Sequence, residues 1–297
     1  MVPLLAAGGS VSAASCALAG PSLGRVGAAP AAMAAETTSF ASASGSTIHA
    51  WYSAGRPGGG AVLLLHGVHA DRRVMLDRAR FLHAAGYAVL IPDFQAHGES
   101  PGRHVTFGAL ESLDAAAALA YVRGRAPAER VGVIGVSMGG AAALVGPGGP
   151  IAADAFVLES VYPTIRDATR DRLRAWLGPF GPPLTPALLR VVGGQIGVEP
   201  DALRPIERIG GVAAPILLAA GTADRYTTIG ESRSLFARAT SPKEFWPVEG
   251  AGHVDLYAYA PVEYERRVTA FFSRWLRRSS PPAERQAAAL TASPSSP

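Results

Sequence analysis

Three residues far apart in this 297-residue chain have the types needed for nucleophilic acyl transfer. The most informative stretch is Val131-Gly132-Val133-Ile134-Gly135-Val136-Ser137-Met138-Gly139-Gly140, an aliphatic run that enters Gly-x-Ser-x-Gly and leaves through small residues. A serine at a tight strand-to-helix turn has a strained backbone, so the residues two before and two after it must lack bulk. Gly135 and Gly139 satisfy that, while Gly140 and Ala141 let the next helix approach closely. Such a turn lifts the Ser137 hydroxyl above the strand ends. It also aims the first helical N–H groups at the same point, where developing negative charge is favoured.

A serine hydroxyl is a poor nucleophile at neutral pH and needs a base, which in turn needs an orienting acid. His253 closes the run Glu249-Gly250-Ala251-Gly252-His253, whose glycines let a loop fold back toward Ser137. Two carboxylates end apolar runs and could orient it: Asp224 in Gly221-Thr222-Ala223-Asp224, and Glu159. Asp255 is too close to His253 in sequence to sit behind the imidazole, and reads as a loop-capping or substrate-facing group. An oxyanion hole needs two backbone donors. The N–H of Met138 supplies one, and Val68, after His66-Gly67, is the candidate for the other. His66, His69 and Asp71 are a weak metal signal without a further clustered ligand, so no metal or other cofactor is expected. His97 precedes the serine and reads as a structural histidine bonding loop backbone.

Positioning these groups takes alternating strands and helices. Residues 37–43 and 47–52 flank Ser44-Gly45-Ser46 as a β-hairpin. Apolar runs at 61–65, 87–91, 131–135, 155–158, 215–220 and 243–248 read as buried strands. Helical spacing recurs around Met75, Ala79 and Leu82, over 107–122 and over 261–277, and Thr228 with Glu231 forms a capping box for a helix reaching Ala239. The expected fold class is therefore α/β, with about eight strands in a mostly parallel sheet covered by helices on both faces. In such a sheet, functional groups gather at the carboxyl ends of the strands, where His66, Asp93, Ser137, Glu159, Asp224 and His253 all fall.

Composition narrows the function classes. Hydrophobic residues make up 48% and charged residues 17%, enough for a sizeable core. One cysteine excludes an intramolecular disulfide framework. The net charge of +4 is spread along the chain with no basic patch interleaved with aromatics, so no nucleic-acid partner is expected. No uninterrupted apolar run approaches the roughly 20 residues of a bilayer span, so stable membrane insertion is not expected either.

His66-Gly67, Asp93 to Ser100 with its His97-Gly98-Glu99, Gly135-Val136-Ser137-Met138-Gly139-Gly140, Gly221-Thr222-Ala223-Asp224 and Gly250-Ala251-Gly252-His253 together closely resemble the α/β-hydrolase superfamily. Within it the chain looks like bacterial serine hydrolases of the serine-aminopeptidase-like and monoacylglycerol-lipase-like branch. The resemblance implies an α/β-hydrolase fold and a catalytic set of Ser137, Asp224 and His253. It favours Asp224 over Glu159, because the loop after the penultimate strand usually supplies the acid. Ser137 at the elbow argues against haloalkane dehalogenases and epoxide hydrolases, which place Asp there. Gln95 departs from the Arg that many relatives carry, and Gly146-Pro147 cuts short the helix after the elbow.

The implied activity is hydrolysis of carboxylic esters, with a small-molecule ester or acyl compound as substrate. The same triad could serve an amide or peptide hydrolase or a thioesterase, and the scaffold could also carry a catalytically silent binding protein. Domain organisation reads as a leader over 1–35, signal-like or disordered, a hydrolase domain over 36–278 and a disordered tail over 279–297. A small helical cap is expected at about 161–212, with Trp176, Leu177, Phe180, Leu184, Leu188 and Leu189 packing it or facing an acyl chain. Arg166, Arg170, Arg172 and Arg174 read as a solvated face, one of which could meet an anionic substrate group. The leader fits export and cytoplasmic residence about equally.

Overall fold

The computed structural model describes residues 18–240 and 242–277. Eight strands build one sheet: β1 (Glu36–Ala41), β2 (Thr47–Ser53), β3 (Ala61–Leu65), β4 (Ala88–Pro92), β5 (Val131–Val136), β6 (Ala155–Glu159), β7 (Ile216–Gly221) and β8 (Lys243–Val248). Their order across the sheet is β1-β2-β4-β3-β5-β6-β7-β8. The β1–β2 hairpin and the β2–β4 pairing are antiparallel and every other pairing is parallel, as the alternating sequence pattern predicts.

Strand periodicity splits the interior in two. On β3, Leu63 and Leu65 join one core, while Val62 and Leu64 join the other. The first core packs against α2 (Ala109–Arg125) through Ala115, Ala118 and Leu119, and against the wholly buried α3 (Met138–Leu144). The second packs against α1 (Leu76–Ala84) through Ala79 and Leu82, and against α9 (Pro261–Trp275) through Val268, Phe271 and Phe272. Between β6 and β7 lie the cap helices α4 (Ile165–Leu177) and α5 (Thr185–Ile196) and the short α6 (Pro205–Arg208). Thr228 and Glu231 form the expected capping box at the start of α7 (Ile229–Arg238). α8 (Leu256–Tyr259) follows the loop that carries His253. No helix among the described residues is long and apolar enough to cross a membrane.

The expectation of a structureless leader through residue 35 does not hold from Leu18 onward. Ser22–Leu23 pairs in parallel with His97–Gly98, Val26 N–H donates to Glu99 Oε1 at 3.2 Å, and Met33 is buried with its carbonyl accepting from Ser53 Oγ. This segment is ordered by backbone hydrogen bonds to loops, which leave no periodic trace in an Ala/Gly/Pro-rich stretch. Residues 1–17 of the expected leader lie outside the described residues, as does the expected tail at 279–297.

Candidate active site

Ser137 occupies the turn between β5 and α3 with φ 50° and ψ −113°, a conformation rarely adopted by a residue bearing a side chain. The flanking glycines make that turn possible. A Cβ on Gly139 would sit 2.4 Å from the Leu65 carbonyl oxygen, and one on Gly135 would sit 2.6 Å from the Gly140 Cα. Ser137 N–H donates to the Glu159 carbonyl at 2.8 Å, tying the elbow to the neighbouring strand.

His253 follows β8 and Asp224 follows β7. His253 Nδ1 lies 2.7 Å from Asp224 Oδ2. The other carboxylate oxygen, Oδ1, accepts the backbone N–H groups of Tyr226 (2.8 Å) and Thr227 (2.9 Å). The Asp224 side chain is thus fully shielded from solvent with both oxygens engaged, while the His253 ring stays partly open. Tyr226 meets that ring edge-on, 5.6 Å between centroids. Ser137 and His253 line a common cleft of about 230 Å³ together with Gly67, Val68 and Arg78.

Of the two amides singled out in the sequence, Val68 lines this cleft and Met138 directly follows Ser137, which lines it too. Met138 begins α3, so its N–H has no acceptor within the helix. Val68 N–H donates to no backbone acceptor among the described residues. The Val68 loop is held by histidines used structurally. Nε2 of His66 accepts Phe94 N–H at 3.1 Å, and its Nδ1 lies 2.7 Å from the Gly67 carbonyl oxygen. His97 Nδ1 lies 2.9 Å from the Gln95 carbonyl oxygen, and its Nε2 accepts His69 N–H at 3.1 Å. Burial, with His97 adding to it, pushes the His66 imidazole down to about 3, so it stays neutral. With both ring nitrogens engaged, neither buried histidine has a lone pair left for a metal ion. Among the described residues no group of three His, Cys, Asp or Glu gathers as a metal cluster.

Glu159, the alternative acid, makes no hydrogen bond to His253 among the described residues. Its carboxylate takes Arg78 Nη2 at 2.7 Å and the Tyr264 hydroxyl. Arg78 Nη2 also reaches Asp255 Oδ1 at 2.8 Å, two residues past His253, and Asp255 Oδ1 caps α8 by accepting Tyr257 N–H at 2.9 Å. Burial works against the charge of Arg78, but Glu159 beside it holds the guanidinium well above its ordinary range. Gln95 is buried and donates to the His104 carbonyl and Glu111 Oε1, both at 2.8 Å, so it supports a loop and does not line the cleft.

Two side chains near the site have little or no local sequence signal. Ser160 sits in the left-handed region at φ 48° and lines the cleft, with its buried Oγ unpartnered among the described residues. Arg78 stands on the buried stripe of α1. Under the cap lies an apolar cavity of about 450 Å³, walled by Phe107, Leu173, Trp176, Leu188 and Val192 and by Leu18 from the segment first read as a leader. Cleft and cavity meet at Val68 and Arg172, which line both.

Known proteins resemble this chain in sequence and fold. A family model described as serine aminopeptidase, S33, matches residues 57–188, which include the elbow but neither Asp224 nor His253. An uncharacterized protein of Mycobacterium tuberculosis is 32% identical over 215 residues, covering 71% of this chain and 69% of its own length. The uncharacterized protein YqkD of Bacillus subtilis is 25% identical over 247 residues, 80% of this chain and 79% of that one. Among solved structures, the Pyrococcus furiosus esterase Pf2001 superposes with a TM-score of 0.69 at 25% identity, covering 87% of this chain and 98% of that one.

Proposed function

This chain belongs to the α/β-hydrolase superfamily, and from that premise we propose that it is a serine esterase acting on carboxylic esters. Ser137 attacks the acyl carbonyl while His253 Nε2 accepts its proton. Asp224 fixes the imidazole with Nδ1 protonated and stabilises the imidazolium that forms. The Met138 and Val68 amides receive the oxyanion, each worth on the order of 3 kcal/mol of transition-state stabilisation. His253 then protonates the leaving alcohol, leaving an acyl group on Ser137, and activates the water that releases it. The observation that carries this reading is one juxtaposition. A strained, Gly-flanked serine shares a cleft with a histidine whose far nitrogen is hydrogen-bonded to a buried aspartate.

Among acyl substrates, the cleft favours esters over the amino-terminal peptides of an aminopeptidase. A substrate ammonium would need an uncommitted carboxylate. Asp224, Glu159 and Asp255 are all engaged, and the charged group left unpaired among the described residues lining the cleft is the cation Arg172. A fluorophosphonate probe should label the wild-type enzyme at Ser137. Ser137→Ala should lose labelling and lower kcat on p-nitrophenyl butyrate by at least about 10³-fold. Labelling elsewhere, or faster turnover of an aminoacyl anilide than of the ester, would overturn the assignment.

A further inference from the structure

The cap helix α4 carries four arginines, and three of them are committed. Arg166 pairs with Asp201 at 3.1 Å, and Arg170 with Asp167 at 2.7 Å and with Asp171 and Glu231 at 2.8 Å. Arg174 lies 3.8 Å from Asp171. Arg172 differs. Its guanidinium makes no ion pair and no hydrogen bond among the described residues. It is half-buried and rests on the face of Tyr226, 5.1 Å from the ring centroid. Tyr226 is the same ring that meets His253 edge-on.

A half-buried guanidinium whose donors meet no protein acceptor among the described residues is partly desolvated, and pairing with an anion would offset that cost. The three neighbours show that this helix places carboxylates where pairs form, yet none stands against Arg172. Burial correspondingly pulls its charge below the ordinary range, while Tyr226, Tyr162 and Asp224 act to support it. Its position is also specific. With Val68, it forms the boundary between the cleft of Ser137 and the apolar cavity.

We propose that Arg172 is a specificity-determining residue that binds an anionic oxyacid group, carboxylate or phosphate, of an amphiphilic acyl substrate whose hydrocarbon chain fills the apolar cavity. The planar fork of a guanidinium matches both anions with two parallel N–H···O bonds, and the Tyr226 face holds the fork in place. The anion then sits within a few bonds of the scissile carbonyl, because Arg172 borders the cleft as well as the cavity. This deepens the esterase reading and rests on it for the identity of the bond cleaved, though not for the binding itself.

The test is calorimetric titration of the full-length Ser137→Ala protein with octyl phosphate, octanoate and octan-1-ol. At least one anion should bind about tenfold or more tightly than the alcohol, and the tighter of the two identifies the group recognised. Arg172→Gln in the same background should bring the anion-to-alcohol ratio close to one. Arg172→Lys, which keeps the charge without the fork, should retain only part of the preference. Equal affinities for all three ligands, absence of anion binding, or a preference that survives Arg172→Gln would overturn the proposal. Because this readout needs no turnover, a wild-type enzyme inactive on esters would sink the esterase reading separately.

Discussion

The carboxyl edge of the sheet and the part of the cap that meets it at Arg172 treat their charges in opposite ways. At the edge, Asp224 is shared between His253 and two backbone amides, Glu159 and Asp255 share Arg78, and Asp93 and Glu99 share the fully buried Arg72. On the cap, Arg172 pairs with no acid among the described residues, and Trp176, Leu177 and Phe180 keep large apolar surfaces in solvent. Fixed dipoles and charges serve a reaction best when nothing must reorganise as charge develops. Uncommitted donors and apolar surface serve a ligand that has yet to arrive. On the esterase reading proposed above, the edge serves chemistry and the cap selection, and each half can be challenged by mutation.

The largest effect belongs to the edge. Asp224→Asn keeps an oxygen that can still accept the Tyr226 and Thr227 amides, so the loop should fold as before. The amide cannot impose the Nδ1-protonated tautomer on His253, and kcat should fall by about 10⁴-fold. A stopped assay with p-nitrophenyl butyrate reads this directly. A fall of less than about tenfold would mean that the His253–Asp224 contact does not orient the base.

Next in size is Arg78→Met. The variant strands Glu159 in the interior and frees the Asp255 end of the His253 loop, so unfolding free energy should drop by about 3–5 kcal/mol. Denaturant unfolding measures it. Adding Glu159→Leu should restore part of the loss, because the buried charge is then gone. A single-variant cost below about 1 kcal/mol would break the comparison, since the edge charges would then not be structurally coupled.

The same contrast explains what the sequence made legible. Strand runs, the hairpin and the elbow were readable because they depend on local periodicity and on Gly135 and Gly139, whose absent side chains leave room for Leu65 and Gly140. That Asp224 and His253 could meet was readable because each lies in the loop after a strand, at the edge where such groups collect. Arg78 did leave a trace, as a cation on the helical stripe with Met75, Ala79 and Leu82, but its partners lie 81 and more residues away and no local pattern names them. Ser160 and Arg172 are defined by what fails to contact them, which only three-dimensional packing decides. The Leu18–Met33 segment escaped for a related reason: its order comes from backbone pairing with the loop at 93–100 and from one cavity-lining leucine.

The smallest effect, and the sharpest separation of the two halves, comes from Trp176→Ala. The indole walls the cavity yet is 54% exposed, so its removal takes little apolar surface out of the folded core. Stability should change by no more than about 0.5 kcal/mol. The catalytic edge is untouched, so turnover of an acetyl ester, too short to reach the cavity wall, should hold steady. An octanoyl ester loses part of its binding surface, and its kcat/KM relative to the acetyl ester should fall by about three- to tenfold. If both esters slow equally, the indole is shaping the edge and the division of labour fails. If neither responds while the fold is intact, the acyl chain lies elsewhere than under α4 and α5.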